Sequence, residues 1–439
     1  MKMIVITLLS AVILLWVTLP EECYADAYAY ITNHDDNTVS MVNISDNTVV
    51  ATINVGQGPR GVAITSNGNF VYITNNTDNT VSVIVTEHKD TLTNPISVGS
   101  SPWGVAVDLS GDYVYVVNYL DGTVSVISVS DSTVTDTITV GNGPYGVAID
   151  PDGTYVYVTN NTDGTVSVIN TSDYDDIEEI TVGNGPYGVA IDPDGTYVYV
   201  TNNTDGTVSV INTADYDDIE TITVGGGPMG VAIDPDGDYV YVTNNTDGTV
   251  SVINTSDYDD IETITVGSGP MGVAVNNSND YIYVVNHIDA TVSVISTSDY
   301  SLTATINVGN SPVSFGTFIG GTAPEAPSDL SATAVSESRI DLSWTDNSND
   351  EYGFKIERTK YGGTFSQIAT VDANVTSYSD TGLSTYRTYY YRVRAYNNAG
   401  NSDYTNEADA TTLEEEASCF IMTTNYSFLL KSIINIFHK

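Results

Sequence analysis

GPYGVAIDPDGTYVYVTNNTDGTVSVINTSDYDDIEEITVGN, residues 143–184, holds four short apolar runs separated by turn-forming residues. GVAID is apolar almost throughout, YVYVTN and TVSVIN alternate, and IEEITV ends the unit. Runs of five or six β-branched and aromatic residues bounded by Gly, Pro, Asn and Asp are strands rather than helices. Pro151-Asp152-Gly153 makes a tight hairpin between the first two, where Gly accepts a positive φ. Asn161-Thr162-Asp163-Gly164 turns between the second and third. We label the four strands A to D. Strand B places Tyr155 and Tyr157 on one face and Val156 and Val158 on the other, so both of its faces must be covered.

The unit recurs. Pro59, Pro102, Pro144, Pro186, Pro228, Pro270 and Pro312 each open the same phrase, 42 or 43 residues apart. A period of about 40–45 residues carrying four strands is the pattern of a β-propeller, one blade per repeat. Strand B occurs seven times, ending at Asn33, Asn75, Asn118, Asn160, Asn202, Asn244 and Asn286. Strand A is missing before the first copy and left over after the last, at residues 312–319. The expected fold class is therefore all-β: a seven-bladed propeller over 26–321, its first blade completed by that C-terminal inner strand. Closure of this kind removes exposed sheet edges.

The motif Tyr157-Val158-Thr159-Asn160 and its copies resemble the YVTN family of propeller repeats over residues 27–320. The resemblance implies a secreted or cell-surface protein, of the surface-layer-like kind. The N-terminus agrees: Lys2, an apolar stretch from Met3 to Leu19, and small residues near Ala25 read as a secretory signal peptide over 1–25. With it removed Cys419 is the one remaining cysteine, which precludes an internal disulfide. After a Gly/Pro linker at 322–325, residues 326–413 resemble a fibronectin type III domain. Leu342-Ser343-Trp344, Phe354 to Arg358 and Leu383 through Tyr389 to Ala395 carry the match, with Trp344 as buried tryptophan and Tyr389 as corner tyrosine. The tail, 414–439, begins acidic and turns apolar and basic. Ser418 to Ile421 resembles a degenerate CFI box, which implies a weak attachment of the tail to membrane or envelope.

The formal net charge is −44, and between residues 26 and 320 the basic side chains are Arg60 and Lys89 alone. Such a surface excludes nucleic acid as a partner, because phosphate binding needs cations. The acid is also sided. In the unit at 146–182 the rim of A–B and C–D turns holds Asp150, Asp152, Asp173, Asp175 and Asp176, against Asp163 on the other rim. Asp150-Pro151-Asp152-Gly153 lacks the spaced ligands of a calcium loop and reads as a solvated turn. No cofactor is expected, with Ca2+ at the acidic rim as the alternative.

The residue after each repeat proline varies where its neighbours do not: Arg60, Trp103, Tyr145, Tyr187, Met229, Met271 and Val313. These seven are the candidate ligand site, at the mouth of the central channel, where rings and thioethers suit a glycan or peptide. The alternative is that they plug the channel. His34 and His287 share one B–C loop position in units that closure makes neighbours, and with Asp289 they are candidate metal ligands. No haem-attachment motif or nucleophile elbow occurs, and the units 160–201 and 202–243 differ at five of 42 positions. The expectation is a non-catalytic interaction or adhesion protein of the cell surface, with the fibronectin-like domain as spacer. Its partners would be an envelope component, a glycan or a protein. The alternative is a secreted lactonase-like or metal-dependent hydrolase. Asn160-Asn161-Thr162, Asn202-Asn203-Thr204 and Asn244-Asn245-Thr246 satisfy the sequon pattern, which would allow glycosylation at the B–C loops in a host with the machinery.

Overall fold

The computed structural model describes residues 27–414, apart from 67, 87, 109, 277–278, 321–323, 325, 349–350, 352, 361–362 and 398–399. The signal segment, Cys419 and the CFI-like tail lie outside the described residues. The described chain is all-β, in seven antiparallel meander sheets followed by two further sheets.

The blade at 144–181 shows how each is built. Its strands are Pro144–Ile149, Tyr155–Asn160, Thr165–Asn170 and Asp173–Thr181, hydrogen-bonded in chain order. Strands B and C pair without interruption, Tyr155 opposite Asn170 through Asn160 opposite Thr165. Strands A and B do not. Pro144 pairs with Asn160 and Val147 with Val158, so Tyr145 and Gly146 bulge opposite Thr159. A bulge re-aims the side chain it contains, and here it sets Tyr145 off the blade's own ladder. Both faces of strand B are covered: Val156, Tyr157 and Val158 are buried, and the clusters they join run from one blade into the next.

The ring closes on the first blade, but not by a uniform strand. Ile319–Gly320 pairs with Ala29 and Tyr28, and an isolated bridge joins Pro312 to Asn33. Between them Ser314 and Gly316 take positive φ (50° and 110°), and the chain steps sideways to the neighbouring blade. There the Val62 N–H donates to Phe315 O (2.9 Å) and the Phe315 N–H donates to Arg60 O (3.2 Å). The closing segment expected at 312–319 therefore latches two blades at once.

Residues 328–411 form a β-sandwich. Ser328–Ser336, Arg339–Thr345 and Ser377–Thr381 make one sheet; Gly353–Lys360, Ser366–Asp372 and Thr388–Asn397 with two short strands make the other. Leu342, Trp344, Phe354, Ile356, Tyr391 and Val393 fill the space between. The Tyr389 hydroxyl accepts the Ser384 N–H at 3.0 Å, as a corner tyrosine does.

Candidate functional site

The inner strands define the channel, and the YVTN motif holds them together. Thr159 Oγ1 accepts the bulged Gly146 N–H (2.8 Å) and donates to Tyr187 O in the next blade (2.7 Å). Thr74, Thr201 and Thr243 repeat both bonds to Trp103 O, Met229 O and Met271 O. The glycine is required by the close approach: a Cβ on Gly146 would sit 2.5 Å from Tyr187 O. The Asn that ends strand B ties the opposite flank. Asn202 Nδ2 donates to Thr207 and Ser209 on strand C, and a Cβ on Gly183 would meet its side chain at 2.5 Å.

Those inner strands bring the residues after the prolines together at one end of the channel. There they pack on one another. Tyr145 stacks on Tyr187 (4.2 Å between ring centres), Trp103 meets Tyr145 edge-on at 4.5 Å, and Phe315 closes against Tyr187 at 5.3 Å. The Arg60 guanidinium lies 3.8 Å above the Trp103 ring, and burial holds its pKa below the usual value. Trp103, Tyr187, Met271 and Val313 are buried, whereas Arg60, Tyr145 and Met229 are half-buried. Four of the seven expected ligand residues thus have little surface to offer, and the group fills that end of the channel.

The opposite end is open. A cavity of about 610 Å³ lies between the outer halves of the inner strands, with Gly104, Gly146, Gly188, Gly230 and Phe315 in its wall next to the plug. Its walls are largely apolar, from Val105, Val147, Val189 and Val231 to Ile149, Ile191 and Ile233. Asp108, Asp150, Asp192 and Asp234 ring it, one from each of four consecutive blades. Each aspartate also caps its A–B turn: Tyr155 N–H donates to Asp150 Oδ1 (3.1 Å) and Tyr197 N–H to Asp192 Oδ1 (3.0 Å). Thr65 and Asn276 do the same in two other blades, so the capping itself needs no charge. Asp192 and Asp234 are buried, Asp108 and Asp150 half-buried. Burial raises the Asp192 pKa, and the nearby Asp194 charge, with which it shares a hydrogen bond, adds to the rise. Asp194, exposed, is shifted down by its bonds to Thr196. Sequence reading placed this rim among solvated turns. Its signal was the period-42 recurrence of Asp at the end of strand A, a position where the inner strands leave a void.

The histidines do not form a ligand set with Asp289. His34 Nδ1 lies 2.8 Å from Asp35 Oδ1, His287 Nδ1 lies 3.2 Å from Pro312 O, and Asp289 accepts the Ser268 N–H. Among the described residues no three His, Cys, Asp or Glu side chains gather into a metal-holding group.

Comparison with known proteins bears on both units. Residues 325–411 match the model of the fibronectin type III domain, and residues 99–215 and 133–262 match the model described as lactonase, 7-bladed beta-propeller. The chain is a seven-bladed propeller followed by a fibronectin type III domain. Solved structures of similar fold include Kuenenia stuttgartiensis hydrazine synthase, 22% identical, with a TM-score of 0.57 over 62% of this chain and 92% of that one. Another is a putative 6-phosphogluconolactonase from Bacteroides uniformis, 19% identical, with a TM-score of 0.56 over 66% of this chain and 98% of that one. At such identities the likeness is one of fold. An alpha-amylase of Niallia circulans is 40% identical over 94 residues, which is 20% of this chain and 7% of that protein. The lactonase match corrects the expectation of a non-catalytic chain, because the blades it covers are those described by a family named for an enzyme.

Proposed function

We propose that this chain is an exported propeller hydrolase acting on a small uncharged ester, a lactone being the simplest, in the acid-ringed cup. The observation that carries the reading is the asymmetry of the channel: one end packed solid with rings, the other an apolar-walled cavity of about 610 Å³ ringed by four carboxyl groups. Asp192 in the cup's wall and Asp194 beside it on the exposed turn are an acid and a base whose proton affinities the fold separates. In the hydrolysis, water attacks the ester carbonyl and the C–O bond to the alkoxide breaks. In its protonated form the Asp192 carboxyl gives its proton to that alkoxide, and the Asp194 carboxylate beside it takes one from the attacking water. The apolar walls exclude bulk water from the substrate ring. Export follows the signal-like N-terminus, with the fibronectin domain as a spacer behind the propeller.

The test is turnover of γ- and δ-lactones and neutral aryl esters by the purified chain, beside Asp192→Asn. We expect kcat to fall at least tenfold in the variant while the chain stays folded, with a melting temperature no lower than that of the wild type. No turnover above buffer by the wild type, or equal turnover by the variant, overturns the reading.

A second reading is favoured by the other rim, where Leu120 and Ile288 on B–C loops are each 71% exposed. That rim would hold an envelope component through its apolar tips. Loss of envelope binding in Leu120→Asp/Ile288→Asp, with the cup's activity unchanged, is the expected result.

A further inference from the structure

The chain carries nine Asn-Xaa-Ser/Thr sequons within its described residues, at Asn43, Asn75, Asn160, Asn170, Asn202, Asn244, Asn254, Asn276 and Asn374. Three of them, at Asn160, Asn202 and Asn244, satisfy the pattern at B–C loops. The structure removes them. Each is fully buried, and its Nδ2, the atom that would carry the sugar, donates to a Thr and a Ser hydroxyl on strand C at 2.8–3.0 Å. Asn75 is held in the same way. Asn43 and Asn276 are buried too. Asn170 and Asn254 are half-buried at C–D turns, with Nδ2 directed to the Asp176 and Asp260 carboxylates at 3.3 Å.

Asn374 is different in every respect. It is exposed, lies on the turn between Ser366–Asp372 and Ser377–Thr381 of the fibronectin domain, and takes a left-handed φ of 62°. Its backbone N–H donates to Glu351 Oε1 (3.0 Å) and the Val375 N–H donates to Asp372 O (3.3 Å), which anchors the turn. Asparagine tolerates this region better than other residues with a Cβ, because its short polar side chain suits it. The hydroxyl-bearing Thr376 at the third sequon position is also exposed.

We infer that Asn374 is an N-glycan acceptor of the folded chain and that the strand B asparagines are not. The donor class is an oligosaccharide linked to a polyprenyl pyrophosphate. The sugar C1–O bond to pyrophosphate breaks, the C1–Nδ2 bond forms, the polyprenyl pyrophosphate leaves with the electron pair, and the amide releases one proton. A glycan there sits on the fibronectin domain rather than on a B–C loop. This inference is independent of the hydrolase reading.

The full purified chain, folded, is incubated with an oligosaccharyltransferase and its lipid-linked donor, and occupied sites are mapped by mass spectrometry. A peptide covering residues 368–380 is the positive control. The expected result within residues 27–414 is one glycan, at Asn374, which is absent from Asn374→Gln. A folded chain unmodified at Asn374 while the peptide is modified overturns the proposal, as does occupancy of Asn160, Asn202 or Asn244.

Discussion

At the level of single residues the repeat motif is a set of staples. The threonine of YVTN joins two inner strands, and two blades carry Val117 and Val285 in its place, so the ring tolerates its loss at some cost. Thr201→Val removes the bonds to Gly188 N–H and Met229 O. It should destabilise the propeller by about 1 kcal/mol, read as a lowered midpoint in urea. Asp192 works in the opposite sense. Its folded-state pKa is raised by burial, so the folded chain binds that proton more tightly than the unfolded chain does. Stability should therefore decline as pH rises from the ordinary carboxylate value of about 3.9 through the folded pKa, and level off above it. Asp192→Asn keeps the acceptor for the Tyr197 N–H, as Asn276 does for Tyr281. The variant should melt higher than wild type at neutral pH and lose that advantage on acidification, in parallel melts across pH.

Among the elements, the inner strand and the closing segment decide most. In six blades the bulge in strand A turns the residue after the proline into the channel, and with Val313 and Phe315 of the closing segment these side chains fill one end. Their position was legible from the repeat, since the phrase around them barely changes. Their burial was not, because it depends on how closely seven inner strands approach. Outer strands add their own cross-blade contacts, such as the hydroxyl pair of Tyr157 and Tyr216 at 3.1 Å. The latch at 312–320 carries Phe318, fully buried against the first blade. Phe318→Ala should cost about 3–5 kcal/mol, the usual range for a buried ring. Calorimetry should show the propeller transition lowered and the fibronectin transition unmoved.

For the whole molecule, charge and closure set what the surface can meet. At a formal charge of −44, with two basic side chains in the propeller, the chain should leave duplex DNA unshifted in a low-salt mobility assay. A shift would mean a local cationic surface outweighs the total. The ring, the blade number, the two-part organisation and the acidic sidedness were determined by the sequence alone. They rest on local periodicity and turn chemistry, which repeat every 42 residues whatever the distant contacts. Which end of the channel is open, which asparagines are reachable and which aspartate has its pKa raised by burial were decided by tertiary structure. Each depends on the separation of atoms from different blades or sheets, where a few tenths of an ångström divide a cavity from a packed core.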